Sequence, residues 1–197
     1  ISLLPHADPS GEPALRPGTS HNGMIAKSVR FLGRSAHAGG APHLGINALN
    51  AANLAMQGIA LQRETFKEED KIRIHPIITR GGAAVSSVPA NVTMEMFIRS
   101  ASIQGMKDAE IKVDQALRAG AMAIGATVEI STSPGYMPSK FCEELNQTYD
   151  YAAVELVGES GSGRMPHRTS STDMGDVSMI MPTMQSYVGG ASGRTHS

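Results

Sequence analysis

The chain has 197 residues, 41% of them hydrophobic and 18% charged, with a formal net charge of −1. That is enough apolar material for one full core and part of another, which excludes a disordered chain. The balance of 17 basic against 18 acidic residues leaves no electrostatic excess for nucleic acid, and no apolar run approaches the ~20 residues of a membrane span. The single cysteine, Cys142, cannot form an intrachain disulfide, which is compatible with a reducing compartment such as the cytoplasm.

Ile1-Ser2-Leu3-Leu4 reads as a buried strand with no basic leader. The far end follows a glycine-rich loop without a closing helix, so a piece of a longer protein is expected. From Met24 to Leu32, Ile25, Val29 and Phe31 alternate with Ala26, Ser28 and Arg30, a strand covered on one side. A loop from Gly33 to Pro42 precedes a helix from about Gly45 to Arg63, where Ala48, Ala51, Ala52, Ala55, Met56 and Ile59 keep helical spacing. Lys67 to Asp70 is a solvated charge run, and Ile72, Ile74 and Ile78 alternate in a second strand, Lys71 to Thr79.

Gly81-Gly82 and Pro89 bracket the next loop. Asn91 to Arg99 is the cleanest strand, with Val92, Met94, Met96 and Ile98 on one face and Thr93, Glu95 and Arg99 on the other. A helix from about Gln104 to Ala123 and a strand from Thr127 to Ser131 complete the order β-α-β-β-α-β. That order predicts an antiparallel four-stranded sheet with two helices on one face. A third helix is expected from Phe141 to Val157, burying Phe141, Leu145, Ala152 and Leu156. After a loop over 159–171, Val177 to Met181 and Tyr187-Val188 read as short strands of an α/β sheet.

Seven histidines show no metal-finger spacing. His37 sits in the loop Gly33-Arg34-Ser35-Ala36-His37-Ala38-Gly39-Gly40, where spacing alone favours a surface histidine. His6 follows an apolar strand, beside Pro5 and Asp8, where ligands sit in α/β sheets. His196 ends the loop that begins Gly189-Gly190, while His21, His43, His75 and His167 carry no distinguishing feature. The pairs Gly39-Gly40 and Gly81-Gly82 lack the lysine and spacing of a phosphate loop. Asp173 is better read as a helix cap or turn residue than as part of a nucleophile motif.

Taken together, four segments resemble one family. Phe31 to Ala38 with Pro42 and Gly45-Ile46-Asn47-Ala48-Leu49 looks like the start of the lid, or peptidase dimerisation, domain of zinc metallopeptidases. These are the aminoacylase, carboxypeptidase G and p-aminobenzoyl-glutamate hydrolase relatives, and the aminoacylase-1-like branch is the nearest. Gly81-Gly82 through Val88-Pro89 to Arg99 resembles the family's glycine-pair, Asn-Val-Val-Pro and terminal-Arg pattern. Ser171 to Ser178 and Gly193-Arg194-Thr195-His196 resemble its late catalytic-domain motifs.

The resemblance implies a ferredoxin-like lid over 23–132, flanked by α/β catalytic-domain pieces at 1–22 and 133–197. It implies metal-dependent hydrolysis of an amide or peptide bond in a small acyl-amino-acid or dipeptide-like substrate, in a homodimer joined through the lid. His37 matches the lid histidine that polarises the scissile carbonyl in the partner's site. Arg99 matches the arginine that holds the substrate carboxylate, with Gly81, Gly82 and Ser87 beside the substrate. Ser87 stands where the family has an oxyanion-holding asparagine. His196 and His6 match metal ligands, for zinc or a similar divalent ion. The family's remaining ligands and its general base have no counterpart here, and a two-metal site needs them. The chain alone is therefore expected to hold metal weakly or not at all and to be inactive by itself. The rival reading is a non-catalytic dimerisation or regulatory module.

Overall fold

A computed structural model describes residues 1–9 and 14–193. In chain order its elements are β1 (Ser2–Ala7), β2 (Leu15–Pro17), β3 (Gly23–Leu32), α1 (Ala48–Leu61), β4 (Arg73–Arg80), β5 (Asn91–Ser100), α2 (Ile103–Ile124), β6 (Thr127–Tyr136), α3 (Glu143–Gly161), α4 (Met174–Val177) and β7 (Thr183–Val188), with short 3-10 turns between some of them. They fall into two compact units, Met24–Gly135 and Ile1–Gly23 with Tyr136–Ser197.

Alternation organises the first unit. Val92, Met94, Met96 and Ile98 of β5 are buried, while Glu95 and Phe97 between them are exposed. The sheet order is β4-β5-β3-β6, with β4 antiparallel to β5 from Arg73↔Arg99 onward. Each helix thus links two strands with one strand between them, and the expected four-stranded antiparallel sheet is present. The core joins Val29 and Phe31 of β3 to Ala48, Ala51, Ala52 and Ala55 of α1 and Val113 and Leu117 of α2. Small residues let the two helices approach closely. A Cβ at Gly120 would stand 2.7 Å from the Ala51 carbonyl oxygen.

Capping sets the helix limits. The Asn47 side chain accepts from the Leu49 and Asn50 amides, so α1 starts at Ala48 rather than near Gly45. Ser102 accepts from the Gly105 amide at the start of α2, and Gly125, at φ 75°, closes that helix in the left-handed region. The strand expected to stop at Ser131 continues to Tyr136. Pro134 does not end it, because β6 is an edge strand and proline is tolerated there.

The second unit holds a three-stranded sheet, β1-β7-β2, with β1 parallel and β2 antiparallel to the central β7. Thr183 to Tyr187 are all buried. Three expectations are corrected here. The β1 strand forms but is not buried: it is an edge, and Ile1 and Leu3 are 79% and 59% exposed. Val177 to Met181 is not a strand; it ends the short helix α4 and turns. In α3 the buried residues are Asn146 and Ala153, whereas Ala152 and Leu156 face solvent. The Asn146 amide donates to the Gly18 carbonyl (3.1 Å), which fixes the inward face at a polar residue. Among the described residues no helix is long and apolar enough to cross a membrane.

Candidate functional site

In the first unit the loop after β3 and the loop before β5 run side by side. Ala38 donates to the Ser86 carbonyl (2.8 Å), Val88 to Ala36 (2.9 Å) and Gly33 to Ala90 (2.8 Å). His37 bridges Ser87 across this pairing. The His37 ring is exposed, but it is oriented: the Gly39 and Gly40 amides donate to Nδ1 at 3.2 and 2.9 Å. With Nδ1 accepting, a neutral ring carries its proton on Nε2. Glycines suit this turn, since a Cβ at Gly40 would already stand 3.4 Å from Nδ1.

Ser87 is half-buried, and its Oγ is 2.8 Å from Ser35 Oγ. Counted back from Pro89, the first position of the Asn-Val-Val-Pro pattern is Ser86, one residue earlier. Ser86 is exposed, so the two neighbouring hydroxyls differ in availability. A cavity of about 180 Å³ is lined by Ser35, Arg80, Gly82, Ser87 and Asn91, among others. Gly82 has φ 146°, which favours glycine, and with Gly81 it leads the chain out of β4 into this loop.

Arg99 lies elsewhere. It is eight residues along β5 from Asn91, about 27 Å at strand rise, so it sits at the opposite end of the sheet from His37 and Ser87. Its guanidinium carbon lies 5.1 Å from the Phe97 ring centroid, and its Nε is buried with no hydrogen-bond partner among the described residues. One lid therefore brings His37, Ser87, Gly81 and Gly82 together but not Arg99.

In the second unit His6 is exposed on β1, with Nδ1 2.7 Å from the Ala7 carbonyl. A carbonyl only accepts, so Nδ1 donates and Nε2 keeps its lone pair, the arrangement of a metal-ligating histidine. Its expected companion His196 lies outside the described residues. Among the described residues no three His, Cys, Asp or Glu side chains gather at metal-ligating distance.

Sequence reading missed the buried polar group beside His6. The His6 and Tyr187 rings are 5.6 Å apart. The Tyr187 hydroxyl bonds His21 Nε2 and accepts from Gln185 (3.0 Å), and Arg168 lies over the tyrosine ring (4.9 Å). Arg16 pairs with Asp8 at 2.7 Å. No spacing signals this cluster, because His21 and Tyr187 are 166 positions apart.

Burial, then the nearby Arg168 charge, lowers the His21 pKa to about 4, and burial raises that of Tyr187 to about 12. The depressed histidine makes stability pH-dependent. Above pH 6.5 the ring is neutral in folded and unfolded chains, so the stability is fully present. As pH falls from 6.5 to about 4 the unfolded chain takes up the proton first and stability drops by up to about 3 kcal/mol. Urea unfolding at pH 7 and pH 4 should show this loss in the native protein and not in His21→Gln. Equal losses in both would remove His21 from the effect.

The lid unit, a four-stranded sheet with two helices on one face and a histidine loop at one end, defines a domain class. Residues 19–123 match the sequence profile of the peptidase dimerisation domain, and the chain belongs to that family. It is 28% identical over 165 residues to the Xaa-Arg dipeptidase of Mus musculus, covering 81% of this chain and 37% of that protein. It is also 31% identical over 123 residues to a p-aminobenzoyl-glutamate hydrolase chain of Escherichia coli, covering 60% of this chain and 25% of that protein. In fold it is similar to an amidase of the hydantoinase/carbamoylase family from Burkholderia vietnamiensis. There the TM-score is 0.77 at 16% identity, over 95% of this chain and 46% of that one. The chain thus spans less than half the length of each of these proteins.

Proposed function

We propose that the chain serves a metal-dependent hydrolase that cleaves an amide or peptide bond in a small acyl-amino-acid or dipeptide-like substrate. The observation that carries this is the tautomer of His37. Two backbone amides hold Nδ1 as an acceptor, which leaves an outward Nε2–H to meet the carbonyl oxygen that turns negative as water attacks. Arg99 takes the substrate carboxylate, since its planar fork meets two oxygens at once.

The distance between these groups favours a dimer. His37 lies by the loop that leads into β5 at Asn91, and Arg99 is about 27 Å further along that strand, too far for both to touch one small substrate within one lid. Two lids joined edge to edge about a two-fold axis run antiparallel, which sets the His37 end of one beside the Arg99 end of the other. A homodimer through the lid, with each site drawn from both chains, follows. The metal, zinc or a similar divalent ion, belongs to the proposal through His6 and His196. The described residues offer one nitrogen where a zinc site takes three or four protein ligands, so no catalytic step is assigned to the ion.

The test is an assay of the purified protein on N-acyl amino acids and dipeptides, with added zinc and with a chelator, beside sedimentation. Hydrolysis lost on chelation and regained with metal, in a dimer, supports the proposal. A dimer that hydrolyses none of these with zinc present is a non-catalytic dimerisation module instead. Only monomer at high micromolar concentration would remove the two-chain site.

A further inference from the structure

In the second unit, residues 15–22 run beside residues 162–168. Parallel bridges join Leu15 to Ser162, Gly18 to Met165 and His21 to Arg168. The Met165 amide donates to the Pro17 carbonyl (2.9 Å), that of Arg168 to Ser20 (3.0 Å) and that of Asn22 to Arg168 (3.1 Å). On extended backbone, successive side chains point to opposite faces. His21 and Arg168 therefore share one face, where both lie against the Tyr187 ring. Ser20 and Asn22 share the other, and His167 falls between them.

There the three side chains form one line of hydrogen bonds. His167 Nε2 is 2.9 Å from Asn22 Oδ1, and His167 Nδ1 is 2.7 Å from Ser20 Oγ. A carboxamide oxygen only accepts, so Nε2 donates and carries the ring hydrogen. In the neutral ring Nδ1 is then the acceptor, and the Ser20 hydroxyl donates to it. Asn22 is fully buried, which fixes the group that orients the ring. Ser20 and His167 are half-buried, which leaves them open to a small reagent. Backbone bonds already join the two segments, so this side-chain relay is not needed for that. Nucleophile, base and orienting group stand in the order that nucleophilic catalysis requires.

We propose that Ser20, His167 and Asn22 form a serine-nucleophile site that takes acyl groups from small, activated esters. Ser20 Oγ attacks the ester carbonyl carbon as its proton passes to His167 Nδ1, and the carbonyl π pair moves onto oxygen. That pair then re-forms the carbonyl, the bond to the ester oxygen breaks, and the Nδ1 proton goes to the departing alcohol. Acyl-Ser20 remains. Water attacks it in the same way, giving a proton to Nδ1 that returns to Ser20 Oγ as the carboxylic acid leaves. Asn22 touches no reacting atom; it is a positioning residue that keeps Nδ1 toward Ser20. The ester must be activated, because the His21 and Asn22 amides already donate to Ser139 Oγ and the Arg168 carbonyl. They are not available to hold an oxyanion, so the base does most of the work. Nothing in this site draws on His37, His6 or the hydrolase reading.

The experiment is labelling of the purified chain, in excess chelator, with a fluorophosphonate, which phosphonylates serine with loss of fluoride. The expected product is an adduct on the peptide that carries Ser20. It should form roughly a hundredfold faster than in the urea-unfolded chain, the weight of one general base. This rate is read on the native chain, so a variant that fails to fold leaves the test intact. His167→Gln should lose the advantage, and Asn22→Leu should lose most of it. Asn22→Asp, which keeps an acceptor against Nε2, should retain it, a rescue that a merely structural role would not give. p-Nitrophenyl acetate should release a burst of one p-nitrophenolate per chain, absent from Ser20→Ala. Labelling of Ser20 no faster than in the unfolded chain, an unchanged rate in His167→Gln, or no burst would overturn the proposal. Ester cleavage that chelation abolishes would also overturn it and would leave the metal-dependent reading standing.

Discussion

If the proposed hydrolase reading holds, replacing His37 by alanine is expected to lower kcat roughly a hundredfold or more while folding and metal content stay unchanged. The ring is exposed and makes no contribution to the core, so its loss should not be felt in stability. Its Nε2–H, in contrast, is aimed by the Gly39 and Gly40 amides and costs no reorganisation when negative charge develops. Donors of that kind are worth about 2.7–4 kcal/mol in the transition state. An unchanged kcat would remove His37 from the mechanism.

A mixture separates a shared site from one built within a single chain. His37→Ala and Arg99→Met homodimers would each lack one group at both sites. In a mixed dimer, one site would pair the intact His37 of one chain with the intact Arg99 of the other. Random exchange should then restore up to about a quarter of native activity, since half the dimers are mixed and each has one good site of two. Failure to recover would place both groups in the same chain's site and cancel the head-to-tail pairing. It would leave the alanine result for His37 standing.

The lid was legible because local pattern and tertiary demand agree there. In β5 a period of two puts Val92, Met94, Met96 and Ile98 on the helix side without exception. The spacing of Ala48, Ala51, Ala52, Ala55 and Ile59 marks the face of α1 that is buried. Legibility failed where a polar residue takes an inward position. In α3 the apolar Ala152 and Leu156 suggest one face, but the Asn146 bond to Gly18 turns another inward. Nothing local shows that the bond exists, because its acceptor is 128 residues away. The candidate site divides in the same way. Family motifs point to His37 and to the Ser86-Ser87 pair, whose second residue bridges His37, and to Arg99, which the strand carries to the far end of the sheet. The His21–Tyr187 cluster has no motif and appears only once β7 is placed between β1 and β2.

Lys27 is the sharpest of these hidden positions, and its removal should be the largest stability effect in the lid. On β3 it falls in phase with Val29 and Phe31, and its side chain is fully buried. Its ammonium lies 2.7 Å from Asp114 and 3.0 Å from Glu110, and it donates to Thr132 Oγ1 at 2.7 Å. The two acids are one turn apart on α2, so they repel each other unless a cation sits between them. Lys27→Ala leaves both carboxylates unpaired and opens a void where the stem had packed. Breaking a buried pair from one side costs about 3–5 kcal/mol; here the lower end applies, because Glu110 and Asp114 are about a third exposed and water can reach them. Lys27→Met refills the void but not the charge, and should recover only the packing part. Combining it with Glu110→Gln and Asp114→Asn removes the stranded charges and should bring stability most of the way back. Urea denaturation of the four proteins reads all these differences. A loss below 1 kcal/mol in Lys27→Ala, or a triple variant no better than Lys27→Met, would show that the ammonium does not hold α2 to the sheet through this charge pairing.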